Sequence, residues 1–178
     1  MTFYQGTNGR VAVLLPGASY SPDRPVLYYA REVLRAQGWS VEEVWWNPED
    51  LASDEAVIRT AKAAFEKVAD SNPLVVGKSI GSLALPLVAQ RGWPAIWLTP
   101  LLNRPELLDA LKIVTSKTLL VGGTADDYWN SKVAVASGQQ ILEMPGADHG
   151  LEIPGNPLAS VDLLSELVKT MKLFVESL

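Results

Sequence analysis

The segment Pro73 to Ser82, PLVVGKSIGS, sets a serine between two glycines as G-x-S-x-G, and the same letters contain Gly-Lys-Ser. Two chemistries begin this way. A phosphate-binding loop needs G-x-x-x-x-G-K-[ST], because the residues before Gly-Lys wrap phosphate oxygens with backbone N–H groups. Here the residue that should open such a loop is Asn72, and the intervening PLVV is an apolar strand with a proline, which cannot form that cradle. The other chemistry is nucleophilic. A serine on a sharp strand-to-helix turn projects above a sheet, and small neighbours such as Gly77 and Gly81 let the crowded backbone pass. A helix starting at Ile80 then aims its N-terminal dipole and a free N–H at the place where an oxyanion would form.

A serine nucleophile needs a base. Histidine is the usual choice, and the chain has one, His149, in EMPGADHGLEIPG. It follows the strand-like QQILEM and precedes the last helix, downstream of the serine as the order Ser, Asp, His requires. The acid that orients the imidazole is sought in LLVGGTADDYWN. Asp126, nearer the strand end, is favoured over Asp127, which is free to cap a helix near Trp129. Asp148 adjoins His149 in sequence and is poorly placed to reach the ring's far nitrogen. A second oxyanion donor is expected from LLPGASY, with the Ala18 amide first and Ser19 or Tyr20 next.

These residues need a scaffold that brings four strand ends together. The chain alternates β-type runs with helical patterns: strands in RVAVLLPG, SVEEVWWN, PLVVGKS, AIWLTP, KTLLVGGT and QQILEMPG. Between them, a helix over DRPVLYYAREVLRAQGW has Asp23 as cap and Gly38 as stop, and a long helix runs through residues 48–70. Further helices are read from Ile80 to about Arg91, through PELLDALK, and near Trp129 to Ser137. The last starts at Asn156-Pro157, with an apolar face through Val161, Leu164, Leu167, Met171, Phe174 and Leu178. Strands apolar on both faces predict a parallel sheet covered by helices on each side, so this is an α/β chain. In such sheets ligands bind at the carboxyl ends of the strands.

Composition narrows the rest. The 178 residues suit one domain over 1–178, with no linker or repeat. A net charge of −5 without a basic cluster argues against nucleic acid and anionic lipid as partners. The absence of cysteine removes disulfides and thiolate chemistry. No N-terminal signal is read, and no apolar stretch approaches the ~18 residues that span a bilayer. A cytoplasmic protein without metal or organic cofactor is expected, its oligomeric state unknown.

Together, LLPGASY, VVGKSIGS, GGTADDYW and PGADHGLE resemble the α/β-hydrolase superfamily over nearly the whole chain, most of all its compact bacterial members of the dienelactone-hydrolase-like and esterase type. The resemblance implies a mostly parallel sheet between helices, a triad of Ser79, Asp126 and His149, and Ala18 and Ile80 as backbone donors to an oxyanion. Many such esterases carry histidine before the serine. Here Lys78 stands there; it could place positive charge near the site or point to solvent, and solvent is the favoured expectation. Only LLN separates AIWLTP from RPELLDALK, where larger relatives insert a cap domain, so the site should be open and suited to small esters or thioesters. Tyr20, Leu101, Leu102, Trp129 and Leu151 are candidates to line it. The competing expectation is a non-catalytic ligand-binding or protein-interaction module on the same fold.

Overall fold

The computed structural model describes residues 1–68 and 72–178. Its strands are β1 (Thr2–Tyr4), β2 (Val11–Leu15), β3 (Ser40–Glu43), β4 (Leu74–Lys78), β5 (Ala95–Leu98), β6 (Thr118–Gly123) and β7 (Gln140–Met144). The helices are α1 (Pro25–Ala36), α2 (Asp54–Lys67), α3 (Leu85–Arg91), α4 (Pro105–Leu111), α5 (Ser131–Ala136) and α6 (Pro157–Glu176), with short 3-10 helices at Pro48–Leu51 and Ser79–Ala84. The sheet runs β1-β3-β2-β4-β5-β6-β7. All neighbours pair parallel except β1, which lies antiparallel on the edge of β3 with Phe3 opposite Glu42. The sheet is the doubly covered, mostly parallel one that the apolar strands predict.

Side-chain alternation divides the core in two. Val13, Leu15, Val75, Trp97 and Leu120 face one side, where α2, α3, α4 and α5 pack. Their neighbours Ala12, Leu14, Val76, Ile96 and Val121 face the other, covered by α1 and α6. This is the period-2 rule of a strand buried on both faces. The direction of sheet growth reverses between β2 and β4, which are themselves paired with Leu15 opposite Gly77. A crevice opens at the carboxyl ends of strands where the order reverses. The loop after β2 and the turn after β4 therefore meet at one place.

Several boundaries differ from the sequence expectation. β1 is too short and exposed to leave a periodic signal. The helix read over 48–70 is broken: Asp50 accepts the Asn47 N–H (2.9 Å) in a 3-10 turn, and Ser53 then caps α2 by accepting from the Ala56 N–H (3.2 Å). α2 ends at Lys67, Val68 is extended, and positions 69–70 of the expected helix lie outside the described residues. Asp23 does not cap α1. Arg24 occupies that position without a side-chain bond, and Asp23 lies 3.6 Å from Arg31. Asp127 caps nothing, since α5 begins at Ser131 with the Asn130 side chain accepting from the Val133 N–H (3.2 Å). On α6 the Asn156 cap is present (3.1 Å to the Ala159 N–H), but Val161, expected on the apolar face, is exposed. Gly38 ends the α1 region as expected, at φ 81°.

Candidate active site

The turn after β4 is strained and tightly packed. Ser79 has φ 53°, a left-handed conformation uncommon for a residue with a Cβ. A Cβ on Gly77 would lie 2.4 Å from Cζ3 of Trp97, and one on Gly81 would lie 2.4 Å from the Leu15 carbonyl oxygen. Both glycines of the motif are thus required by space. The buried Ser82 braces the turn, its hydroxyl donating to the Ser79 carbonyl (2.6 Å) and accepting from the Leu101 N–H (3.2 Å). The helix expected from Ile80 begins as the 3-10 segment, and α3 starts only at Leu85. Pro86 cannot donate to the Ser82 carbonyl, and its ring would clash there in an uninterrupted α-helix.

Two loops reach over this turn. His149, in the loop between β7 and α6, places Nε2 2.8 Å from Ser79 Oγ, and its Nδ1 lies 2.8 Å from Oδ2 of Asp126. The Asp126 side chain is fully shielded, and its Oδ1 accepts the Tyr128 N–H (2.9 Å). An ionised carboxylate only accepts, so Nδ1 carries the ring proton and the Nε2 lone pair faces the serine hydroxyl. Asp127 is exposed. Asp148 instead folds its own loop, accepting from the N–H groups of Gly150 (2.7 Å) and Glu152 (3.1 Å). Leu151 in that loop has φ 62°. The Tyr128 ring lies beside the imidazole, 5.0 Å between centroids. Such a chain can pass the serine proton to the imidazole while the carboxylate holds the ring.

A cleft of about 440 Å³ opens over Ser79 and His149, with Ala18, Tyr20, Ile80, Leu101, Arg104 and Tyr128 in its walls. Ala18 sits at the tip of a turn closed by Gly17 and Tyr20, whose backbones pair (3.2 and 3.4 Å). Trp46 Nε1 fixes that turn from behind by donating to the Pro16 carbonyl (3.0 Å). Ile80 is in the first turn of the 3-10 helix, where N–H groups have no acceptor within the helix. Of the residues expected to line the site, Tyr20 and Leu101 stand in the walls of this cleft, and Leu102, Trp129 and Leu151 do not. Leu102 is buried in the core. Trp129 fills the space above Gly122, where a Cβ would meet its ring at 2.0 Å, and Nε1 donates to Glu143 (2.7 Å). Leu151 lines a neighbouring apolar cavity of about 360 Å³ beside Val26 and Leu164. Tyr128 and Arg104, the latter 3.1 Å from Asp54, were not foreseen. Only their place beside a strand end or connecting loop could have marked them.

Lys78 does not point to solvent. It is 1% exposed, and its Nζ donates to Thr99 Oγ1 (2.9 Å) and to the His149 carbonyl (2.8 Å). The ammonium also lies 4.5 Å from the centroid of the Tyr20 ring. Strand alternation explains the inward course: Ser79 turns up from the sheet end, and the preceding residue must point beneath the loops that cover it. Burial lowers the Lys78 pKa to about 8, against the opposing pull of Asp126, Asp148 and Glu152. Between β5 and α4 only Thr99 to Arg104 intervene, and among the described residues no cap covers the cleft. Among the described residues no helix is long and apolar enough to cross a membrane.

No family model and no curated protein matches the chain. Solved structures do. Est1E from Butyrivibrio proteoclasticus aligns with a TM-score of 0.77 at 13% identity, over 98% of this chain and 92% of that one. The thioesterase domain from the curacin biosynthetic pathway gives 0.68 at 12% identity, over 95% and 93%. A serine hydrolase without lid from Xanthomonas campestris gives 0.63 at 16% identity, over 98% and 87%. The chain has the α/β-hydrolase fold.

Proposed function

We propose that this chain is a serine hydrolase that cleaves small carboxylic esters or thioesters. The reading is carried by one observation, the continuous hydrogen-bonded path from Ser79 Oγ through the His149 ring to a buried Asp126, with 2.8 Å at each link. In the first step Ser79 Oγ bonds to the substrate carbonyl carbon as His149 Nε2 takes its proton. Negative charge moves to the carbonyl oxygen, where the amides of Ala18 and Ile80 would donate. Collapse breaks the bond to the alcohol or thiol, which leaves with the proton from His149, and Ser79 is acylated. Water then repeats the sequence: it gives a proton to His149, attacks the acyl carbon, and releases the acid as the proton returns to Ser79. Asp126 stays ionised throughout, holding the tautomer and balancing the imidazolium.

The walls of the cleft support a small, partly aromatic or aliphatic acyl group, with Tyr128 and Leu101 beside the reacting atoms and no lid to enclose a long chain. Relatives in fold are consistent with this range: Est1E has been solved with ferulic acid bound, and another neighbour is a thioesterase domain. The test is turnover of p-nitrophenyl acetate by wild type and Ser79→Ala. The variant should keep its circular dichroism spectrum and lose at least ~10³-fold in kcat, the scale of removing a triad member. Retained turnover in the variant would refute the mechanism. Saturable ligand binding with negligible kcat in the wild type would favour the non-catalytic module.

A further inference from the structure

The geometry points to Lys78 as a positioning residue whose ammonium, anchored on Thr99, grips the His149 backbone carbonyl and so sets the imidazole between Ser79 and Asp126. The inference rests on the proposed hydrolase reading. An ammonium carries three protons and accepts nothing. Two are spent on Thr99 Oγ1 (2.9 Å) and the His149 carbonyl (2.8 Å), and Nζ packs over the face of Tyr20, 4.5 Å from its centroid. Lys78 borders the cleft but at 1% exposure offers almost no surface to a substrate. Lys78 acts through what it holds.

What it holds is the backbone of the catalytic-base candidate, in a loop that Asp148 already folds locally. His149 lies in a loop between β7 and α6, and the links that seat its ring are long-range contacts to Asp126 and Ser79. Lys78 adjoins Ser79 covalently, so its grip on the His149 carbonyl connects nucleophile and base through one side chain. Thr99, directly after β5, supplies the anchor. It has φ 45°, an outlying conformation for a β-branched residue, and its N–H is fixed on the Val121 carbonyl at 2.7 Å. Ser79, next to Lys78 in the chain, and Thr99, its anchor, both have left-handed backbone, as does Leu151 two residues after His149. Backbone strain of that kind persists where surrounding contacts over-determine it.

The charges around Lys78 make the tie pH-dependent. Asp126 faces it from the loop after β6, Asp148 and Glu152 from the His149 loop, and Tyr20, itself near Arg24, from the loop after β2. At neutral pH the carboxylates keep the amine protonated, and the bond to the carbonyl is charge-assisted. Above a pH of about 8 the charge is lost and the bond weakens.

His149 is the chain's only histidine, so its ring signals in nuclear magnetic resonance report its seating without reliance on turnover. In Lys78→Met, the Nδ1 proton that Asp126 shields should exchange into water and vanish, while kcat on p-nitrophenyl acetate falls roughly 10²-fold and KM changes little, the scale of a misplaced catalytic group. A folded Lys78→Met with an unchanged His149 ring spectrum would overturn the inference. If that variant does not fold, the wild type decides. Its His149 ring nitrogens should show a chemical-shift step with midpoint at about pH 8, where Lys78 loses its charge, and its absence would overturn the inference equally. A wild type that neither turns over esters nor reacts at Ser79, yet shows the step, would sink the hydrolase reading and leave the tie standing.

Discussion

Asp126 and Asp127 are adjacent in sequence and unequal in chemistry. One is fully shielded and bonded to the His149 ring, the other is exposed. Asp126→Asn should therefore lower kcat by ~10⁴-fold, because an amide no longer fixes the tautomer. Asp127→Asn should change it less than about twofold, as surface changes away from the site do. Equal losses in steady-state assays of the two variants would contradict the assignment. The seryl, aspartyl and histidyl candidates could be picked out because Ser79 directly follows β4, Asp126 and His149 lie in the loops just after β6 and β7, and the chain order is constrained. Lys78 was not: its partners lie 21 and 71 residues away, and nothing local distinguishes a lysine that meets them from one that meets water. Trp129 misled for the opposite reason, since a tryptophan beside a site residue reads as a wall until Gly122 is seen to leave it a slot in the core.

At the scale of elements, the strand–turn–3-10 unit depends on two glycines with different neighbours. A methyl on Gly81 meets the Leu15 backbone, which β2 pairing prevents from moving, whereas one on Gly77 meets the Trp97 side chain. Gly81→Ala should lower the urea midpoint more than Gly77→Ala, each by an overpacking cost of about 1–3 kcal/mol, and should also displace Ser79. A Gly81→Ala protein with wild-type stability and labelling would contradict this packing. The type and order of the long elements were readable from periodicity. Their ends were set elsewhere: Ser53 restarts a helix, Pro86 delays one, and the edge strand β1 exists only through its pairing with β3.

At the scale of the molecule, the uncapped cleft predicts that acetyl and butyryl esters are turned over ahead of palmitoyl esters. A rising rate with chain length in a p-nitrophenyl ester series would contradict an open, shallow site. The buried lysine predicts an unusual stability profile. Unfolded, its amine titrates at 10.5; folded, at about 8. Between these values the unfolded chain holds the extra proton, so stability rises with pH across the window, by about 3 kcal/mol in all at ~1.4 kcal/mol per unit. Tyr20 opposes from about pH 10, because burial raises its pKa and the unfolded phenol ionises first. Urea unfolding at pH 7.5 and 9.5 should show the gain in wild type and its loss in Lys78→Met. A flat profile in wild type would mean that the amine is not buried as a cation at neutral pH.

The central claim, an activated Ser79, is tested most directly by exposing the folded protein to a fluorophosphonate probe and mapping the modified peptide by mass spectrometry. A single adduct on Ser79, absent in Ser79→Ala, is the result predicted from the Ser79–His149–Asp126 geometry. No adduct on a protein shown to be folded, or an adduct on another serine, would contradict it.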